Sequence, residues 1–292
     1  MFEGSIVALV TPMEANGDVD WPALERLIGW HLEQGTQGIV PMGTTGESAT
    51  LDVDDHLLVI RRTVEVVAKQ VPVIAGTGAN ATWEAIHQSQ QAEKLGADAC
   101  LLVTPYYNRP TQAGLVAHYR AISEATDGPL FLYNVPPRTA CDMLAETVAQ
   151  VSRFDGVVGI KEACGDAERV GEIRELVDAD FIVLSGEDAQ TLRMLELGAR
   201  GTISVTANVL PKRMSEFCSA FLAGERERAA VLDADLQRMH AALFIESSPT
   251  PTKWALAEMG LIGPGIRLPL LPLSADKHEI LRAELRHAGC LQ

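Results

Sequence analysis

Eight short, continuously apolar runs alternate with longer stretches of helical period along this chain, and that alternation restricts its fold more than any other feature. The runs are Ile6–Val10, Gly38–Pro41, Val71–Ala75, Ala99–Val103, Leu130–Tyr133, Val157–Lys161, Phe181–Ser185 and Gly201–Ser204. Between them apolar residues recur at helical spacing, as in Trp21–Glu33, Val53–Ala68, Trp83–Leu95, Leu115–Ala125 and Ala189–Leu197. Several of these stretches end on a glycine stop signal, at Gly35, Gly96 and Gly198. A strand with one wet face alternates apolar and polar side chains. These runs do not, so both their faces are buried, as in parallel strands covered by helices. Eight such units in about 220 residues predict an α/β fold, a (β/α)₈ TIM barrel. The rival, an open doubly wound sheet, normally carries a glycine-rich fingerprint in its first strand–helix turn, and Ala8-Leu9-Val10-Thr11-Pro12 is no such loop. From about Leu210 onward the chain reads as helices only: Met214–Leu222, Glu225–Ala242, Pro251–Met259 and Ala275–His287. The expected organisation is a catalytic barrel over residues 1–224 and a C-terminal all-helical appendix, residues 225–292, packed on its side.

Composition narrows the partners. The 292 residues are 47% hydrophobic, enough for one large core, and carry a formal net charge of −15. That sign argues against nucleic acid or an anionic membrane, since phosphate binding needs a basic patch. Cys100, Cys141, Cys164, Cys218 and Cys290 are odd in number and scattered, so they read as reduced cytosolic thiols rather than a disulfide frame. The N-terminus lacks the basic start and apolar run of a secretion signal, and nowhere do about 18 apolar residues run together. A cytoplasmic protein is expected.

In a (β/α)₈ barrel, chemistry sits at the C-terminal ends of the strands. The second strand here ends in Gly43-Thr44-Thr45-Gly46-Glu47 and the fourth in Thr104-Pro105-Tyr106-Tyr107. The fifth supplies Tyr133 and Arg138, and the sixth Lys161. The seventh ends in Ser185-Gly186-Glu187-Asp188 and the eighth in Ser204-Val205-Thr206-Ala207-Asn208. Taken singly, each has a plain explanation: a capping turn, a buried phenol, half of a surface ion pair, a snorkelling lysine. Those explanations do not account for their meeting at one mouth. A lysine ending a buried strand loses solvation, which favours the neutral amine that attacks a carbonyl to form a Schiff base. The backbone N–H groups of Gly43–Gly46 can hold the carboxylate of a small 2-oxo acid. Tyr133 joined to the Thr45 hydroxyl can shuttle protons, and Arg138 offers a bidentate fork to a carboxylate on a second substrate.

No cofactor or metal is expected. Gly76-Thr77-Gly78 lacks the third glycine of a dinucleotide fingerprint, with Ala81 in its place. The seven histidines form no metal-ligand spacing. Pyridoxal phosphate would explain the lysine, but no phosphate-gripping loop stands near the last strands.

The segments Gly43–Ser48, Gly76–Asn80, Thr104–Asn108, Tyr133–Thr139, Gly159–Ala163 and Ser204–Asn208, in this order, carry a resemblance. From end to end the chain resembles the 4-hydroxy-tetrahydrodipicolinate (dihydrodipicolinate) synthase family, within the wider group of pyruvate-dependent class I aldolases that includes N-acetylneuraminate lyase. The resemblance implies condensation of pyruvate with L-aspartate 4-semialdehyde in diaminopimelate and L-lysine biosynthesis, by an enzyme of the carbon–oxygen lyase class. It implies Lys161 as Schiff-base residue, Tyr133 as proton donor and acceptor, and Thr45 bridging Tyr133 to a Tyr107 that reaches in from the neighbouring subunit. Thr44, Thr45, Arg138, Gly186 and Ile203 are then substrate-binding positions. It further implies a dimer of dimers, with feedback L-lysine bound at Ser48, Ala49, His56, Asn80, Glu84 and Tyr106. Val53 stands where inhibited members often have histidine. Ser247-Ser248 replaces a commoner Pro-Asn before Pro249, remote in sequence from the catalytic strands. A sister lyase of sugar acids would use the same Lys161 and Tyr133; Arg138 with Thr44-Thr45 favours the synthase. A catalytically silent barrel would be free to lose Lys161 or Tyr133, and both are present.

Overall fold

The computed structural model describes residues 2–292 and forms the expected barrel. Its parallel strands are β1 (Gly4–Ala8), β2 (Gly38–Val40), β3 (Ile74–Gly76), β4 (Ala99–Val103), β5 (Leu130–Asn134), β6 (Val157–Glu162), β7 (Ile182–Ser185) and β8 (Gly201–Ser204). They pair in the order β2-β1-β8-β7-β6-β5-β4-β3. An Ile39–Val73 bridge, with Ile39 N–H donating to Pro72 O and Gly76 N–H to Pro41 O, both at 3.0 Å, joins β2 to β3 and closes the ring. The intervening helices are α1 (Trp21–Glu33), α2 (Val53–Val67), α3 (Thr82–Lys94), α4 (Gln112–Ser123), the one-turn α5 (Pro136–Thr139), α6 (Ala145–Val151), α7 (Arg169–Leu176), α8 (Thr191–Glu196) and α9 (Pro211–Leu222). After them come α10 (Arg226–Ala242), α11 (Thr250–Glu258) and α12 (Ala275–His287). Side-chain caps fix several starts: Asp20, Asp52 and Thr111 accept the N–H groups of Ala23, Asp55 and Gly114. Among the described residues no helix is long and apolar enough to cross a membrane.

Two expected strands shift, because their backbone groups find other partners. The first runs over Gly4–Ala8 instead of Ile6–Val10, since the Val10 N–H donates to the Asn208 side chain at 3.0 Å. The third starts at Ile74 instead of Val71, since Pro72 has no N–H and the Val73 N–H donates to Asp98 at 2.9 Å. Helices α6 and α7 carry little periodic signal; α7 buries only Val170 and Ile173.

The continuous apolarity of the strands resolves into two cores. Along β5, Leu130 and Leu132 face the layer beneath the helices, while Phe131 and Tyr133 point into the barrel. Along β1, Ile6 and Ala8 point inward and Val7 outward. Inside the barrel Phe131 takes space that its neighbour strand must concede. A Cβ on Gly159 would lie 2.5 Å from both Phe131 Cε1 and the Ile182 carbonyl oxygen. Glycine is therefore required at 159, two residues before Lys161.

Gly159→Ala should accordingly destabilise the fold by about 1–3 kcal/mol or more, as overpacking of a filled core does. Urea denaturation measures this; unchanged stability would mean that Phe131 moves aside freely.

Candidate active site

The β5–β6 register places Tyr133 directly opposite Lys161, on the same inward face. Lys161 is 6% and Tyr133 7% exposed, and the lysine Nζ lies 4.3 Å from the centre of the tyrosine ring. Just past the end of β7, Gly186 leaves the lysine its room. A Cβ there would come within 2.9 Å of Lys161 Cε and 2.7 Å of Ala163 Cβ. Ile203, on β8, is buried in the same interior cluster as Tyr133. A buried amine with a phenol beside it and no side chain at 186 is an arrangement suited to a small carbonyl compound.

After β2, Thr44–Gly46 forms one 3₁₀ turn. Its first N–H groups, those of Thr44 and Thr45, have no acceptor within the turn and can receive an anion. The Thr11 hydroxyl donates to the Gly46 carbonyl at 2.7 Å and seats the turn on β1. A cavity of about 630 Å³ opens beside it. Thr44 and Arg138 line it, together with Ser48, Ala49, His56, Glu84 and Tyr106. Five of the six residues considered for an effector thus line one cavity. Asn80 does not; its carbonyl accepts from the Asn108 amide at 2.8 Å. Ser247 and Ser248 line the cavity as well, and Ser248 O accepts from Arg138 Nη2 at 3.4 Å. Their distance from the catalytic strands in sequence is undone by the fold. Tyr107 is 90% exposed at φ +73°, so its ring is not packed against the Thr45 of its own chain.

Comparison with known proteins agrees with this geometry. Residues 1–288 match the model of the dihydrodipicolinate synthetase family. The chain belongs to the dihydrodipicolinate synthetase family. It is 55% identical over 291 residues to the 4-hydroxy-tetrahydrodipicolinate synthase of Ectopseudomonas mendocina, covering 100% of both chains. Among solved structures it is similar to the chloride-inhibited dihydrodipicolinate synthase of Acinetobacter baumannii complexed with pyruvate, with 50% identity, 100% of both chains covered and a TM-score of 0.98. It is also similar to the enzyme of Cyanidioschyzon merolae with lysine bound, with 39% identity, 99% of each chain covered and a TM-score of 0.96.

In this member of the dihydrodipicolinate synthetase family the acidic residues around the mouth are mostly committed to structure. Glu162, next to Lys161, accepts from Asn134 Nδ2 at 3.1 and 3.2 Å and from the Cys164 N–H at 2.8 Å. Burial pushes its carboxyl up to about 7, against the Asn134 hydrogen bond and the nearby Arg169, which pull it down. Asp188 accepts the N–H groups of Val205 and Thr206 at 2.9 and 2.8 Å, tying the end of β7 to the end of β8. Glu187 is half-buried; burial raises its carboxyl pKa, and Lys161 and Arg138 oppose the rise. Two further residues at the mouth, Lys253 and Arg267, carry no motif in the sequence. Lys253 is 3% exposed and pairs with Glu47, whose second oxygen accepts the Arg267 N–H at 3.0 Å. One signal was available: Thr252-Lys253-Trp254-Ala255-Leu256 sets a lone lysine in an otherwise apolar stretch of a helix.

The Glu162 carboxyl sets a pH dependence of stability. In the folded chain it keeps its proton to about pH 7, against an ordinary value of 4.5. Folding therefore takes up a proton between these values, and stability falls as pH rises through that window. Glu162→Gln cannot ionise, so its melting temperature relative to wild type should climb between about pH 5 and pH 8. Calorimetry at several pH values reads the difference; parallel curves would show that Glu162 is ionised in the folded protein throughout.

Proposed function

We propose that this chain condenses pyruvate with L-aspartate 4-semialdehyde to give 4-hydroxy-tetrahydrodipicolinate, in diaminopimelate and L-lysine biosynthesis. The observation that carries this reading is the Lys161 amine over the Tyr133 ring, in a chain 50% identical throughout to an enzyme complexed with pyruvate. Lys161 adds to the keto carbon, and loss of water gives the iminium. Loss of a methyl proton gives an enamine, whose carbon attacks the aldehyde of the second substrate. The amine of that substrate then displaces Lys161 and closes the ring. Tyr133 moves the protons, relayed through Thr45 to Tyr107 of a second copy of the chain; the exposure of Tyr107 supports that assignment. Thr44 and Thr45 hold the pyruvate carboxylate, Gly186 and Ile203 shape its pocket, and Arg138 takes the carboxylate of the semialdehyde. The barrel of residues 1–224 carries this chemistry in a cytoplasmic dimer of dimers.

L-Lysine is the proposed feedback ligand of the cavity lined by Ser48, Ala49, His56, Glu84 and Tyr106, with Asn80 completing the site. Glu84 can accept from an ammonium group, and Tyr106 can hold a carboxylate. His56 opposes neither group. Its Nε2 lies 2.7 Å from the Gly76 carbonyl, and burial lowers its pKa, so the ring meets a cationic ligand uncharged.

Pyruvate with borohydride should add one reduced pyruvate to the Lys161 peptide and abolish activity in a coupled assay with aspartate semialdehyde, with N-acetylneuraminate cleavage as control. Tyr133→Phe should lower kcat by about 10²–10⁴-fold while still forming the adduct slowly. Label on Lys253 or Lys212 with Lys161 untouched would overturn the mechanism.

Millimolar L-lysine should inhibit and release heat on binding, and Glu84→Thr should lose both effects. A coupling of about 1–3 kcal/mol is usual between sites, which makes partial inhibition the expected form. Unchanged activity and no heat in the wild type would remove the regulatory reading and leave the catalytic one intact.

A further inference from the structure

The turn that is proposed to receive the pyruvate carboxylate is bracketed by two left-handed non-glycine residues, Met42 at φ +57° and Glu47 at φ +60°. Such conformations persist only where the surroundings over-determine them. At Glu47 the surroundings are the C-terminal region. Lys253 of α11 pairs with one carboxylate oxygen, and the Arg267 N–H donates to the other. The Arg267 guanidinium then fans out to Gly17 O at 2.7 Å, Thr50 O at 3.0 Å and Asp55 Oδ2 at 3.1 Å. Partners 206 and 220 residues away in sequence thus grip one side chain at the end of a three-residue turn.

A buried ion pair is weak evidence for a stability role, because well-packed apolar residues commonly do as well or better in its place. Two properties of this pair point elsewhere. It fixes the backbone of the residue that follows Gly46, and hydrogen bonds from the Thr44 and Thr45 amides depend on distance within a few tenths of an ångström. It also neutralises a carboxylate within three residues of a site built for an anion, where an unpaired charge would repel the substrate.

We infer that Lys253, acting through Glu47, is a positioning residue for the carboxylate-binding turn, so that the C-terminal helical region sets the affinity of the barrel for its 2-oxo acid. The inference rests on the aldolase reading of the site. Glu47 lines the cavity, but its carboxylate oxygens are taken by Lys253 and the Arg267 N–H. Lys253 holds Glu47, Glu47 holds the turn, and the turn holds the anion.

The test compares Lys253→Met, Glu47→Gln and the double variant with wild type. It measures KM for each substrate, the pyruvate concentration for half-maximal borohydride trapping, and the melting temperature. Lys253→Met should raise both pyruvate readings by about tenfold or more while changing the KM for aspartate semialdehyde by less than about twofold, the split expected when binding of one substrate alone is impaired. The double variant, with no unpaired buried charge, should regain most of the melting temperature yet keep the raised pyruvate readings. If Lys253→Met does not fold, the double variant decides alone. Recovery of both stability and pyruvate affinity in the double variant, or an equal rise in the two KM values, would overturn the inference and leave an ordinary structural pair. Failure of wild type to trap pyruvate at all would instead overturn the aldolase reading, and this inference with it.

Discussion

The chemistry of this barrel hangs on the pairing of β5 with β6. Side chains on a strand alternate faces, so a slip of one residue would move Lys161 out of the mouth and into the apolar layer beneath the helices. The register that prevents the slip is set deeper in the barrel, where Phe131 fills the space that a side chain at 159 would need. Two residues further along, the same register brings Tyr133 opposite Lys161. Burying a lysine head costs several kcal/mol when it goes unpaired. The face of the Tyr133 ring, 4.3 Å from the Nζ, offsets part of that cost. The phenol beside the lysine therefore has two physical functions, one in seating the amine and one in the proposed proton transfer.

Most acidic side chains on the segments that end at the mouth have structural partners of their own. Glu162 lies immediately after Lys161 but turns to Asn134 and the Cys164 N–H. Asp142 takes Arg169 and the same Asn134 amide. Asp188 clamps β7 to β8, and Glu47 is held by Lys253. For the buried Glu162, Asp188 and Glu47 these contacts are structural in their own right, since a buried carboxylate without donors costs more than the fold gains from any single hydrogen bond. Lys161 itself faces the Tyr133 ring. The exception, Glu187, stands half-buried within electrostatic reach of Lys161 and Arg138.

Most of this was legible where the information is local. The eight apolar runs, their continuous character and the polar residues that end them lie within short windows of sequence, and the barrel maps those ends to one mouth. What was not legible is the set of contacts that joins distant segments. No periodicity encodes the pairing of Glu47 with Lys253 or the reach of Arg138 to Ser248, separated by 206 and 110 residues. For the same reason Ser247-Ser248 looked remote from catalysis and proved to line the cavity. The third strand begins three residues later than its apolarity suggests, because apolarity marks Val71 and Val73 whereas hydrogen bonding decides where a strand begins, and Pro72 cannot donate. Helices α6 and α7 went unmarked because they are short, seven and eight residues, and α7 turns little apolar surface inward.

The segment Tyr106–Arg109 bears on the proposed role of a second copy of the chain. Tyr107 and Arg109 both hold left-handed backbone, at φ +73° and +47°. Such residues cost about 1–3 kcal/mol each unless their surroundings demand them. Asn108, between them, fastens the loop to Asn80 and so fixes the direction in which Tyr107 leaves the barrel. Yet the ring thus aimed is 90% exposed, and Trp83, just past Asn80 in the first turn of α3, is 72% exposed. A chain does not hold a loop in strained geometry to present a tyrosine to water. Large exposed aromatics on adjoining segments are characteristic of a surface that another protein covers. The strain, the fastening and the exposure are together what the proposed entry of Tyr107 into the mouth of a second copy requires.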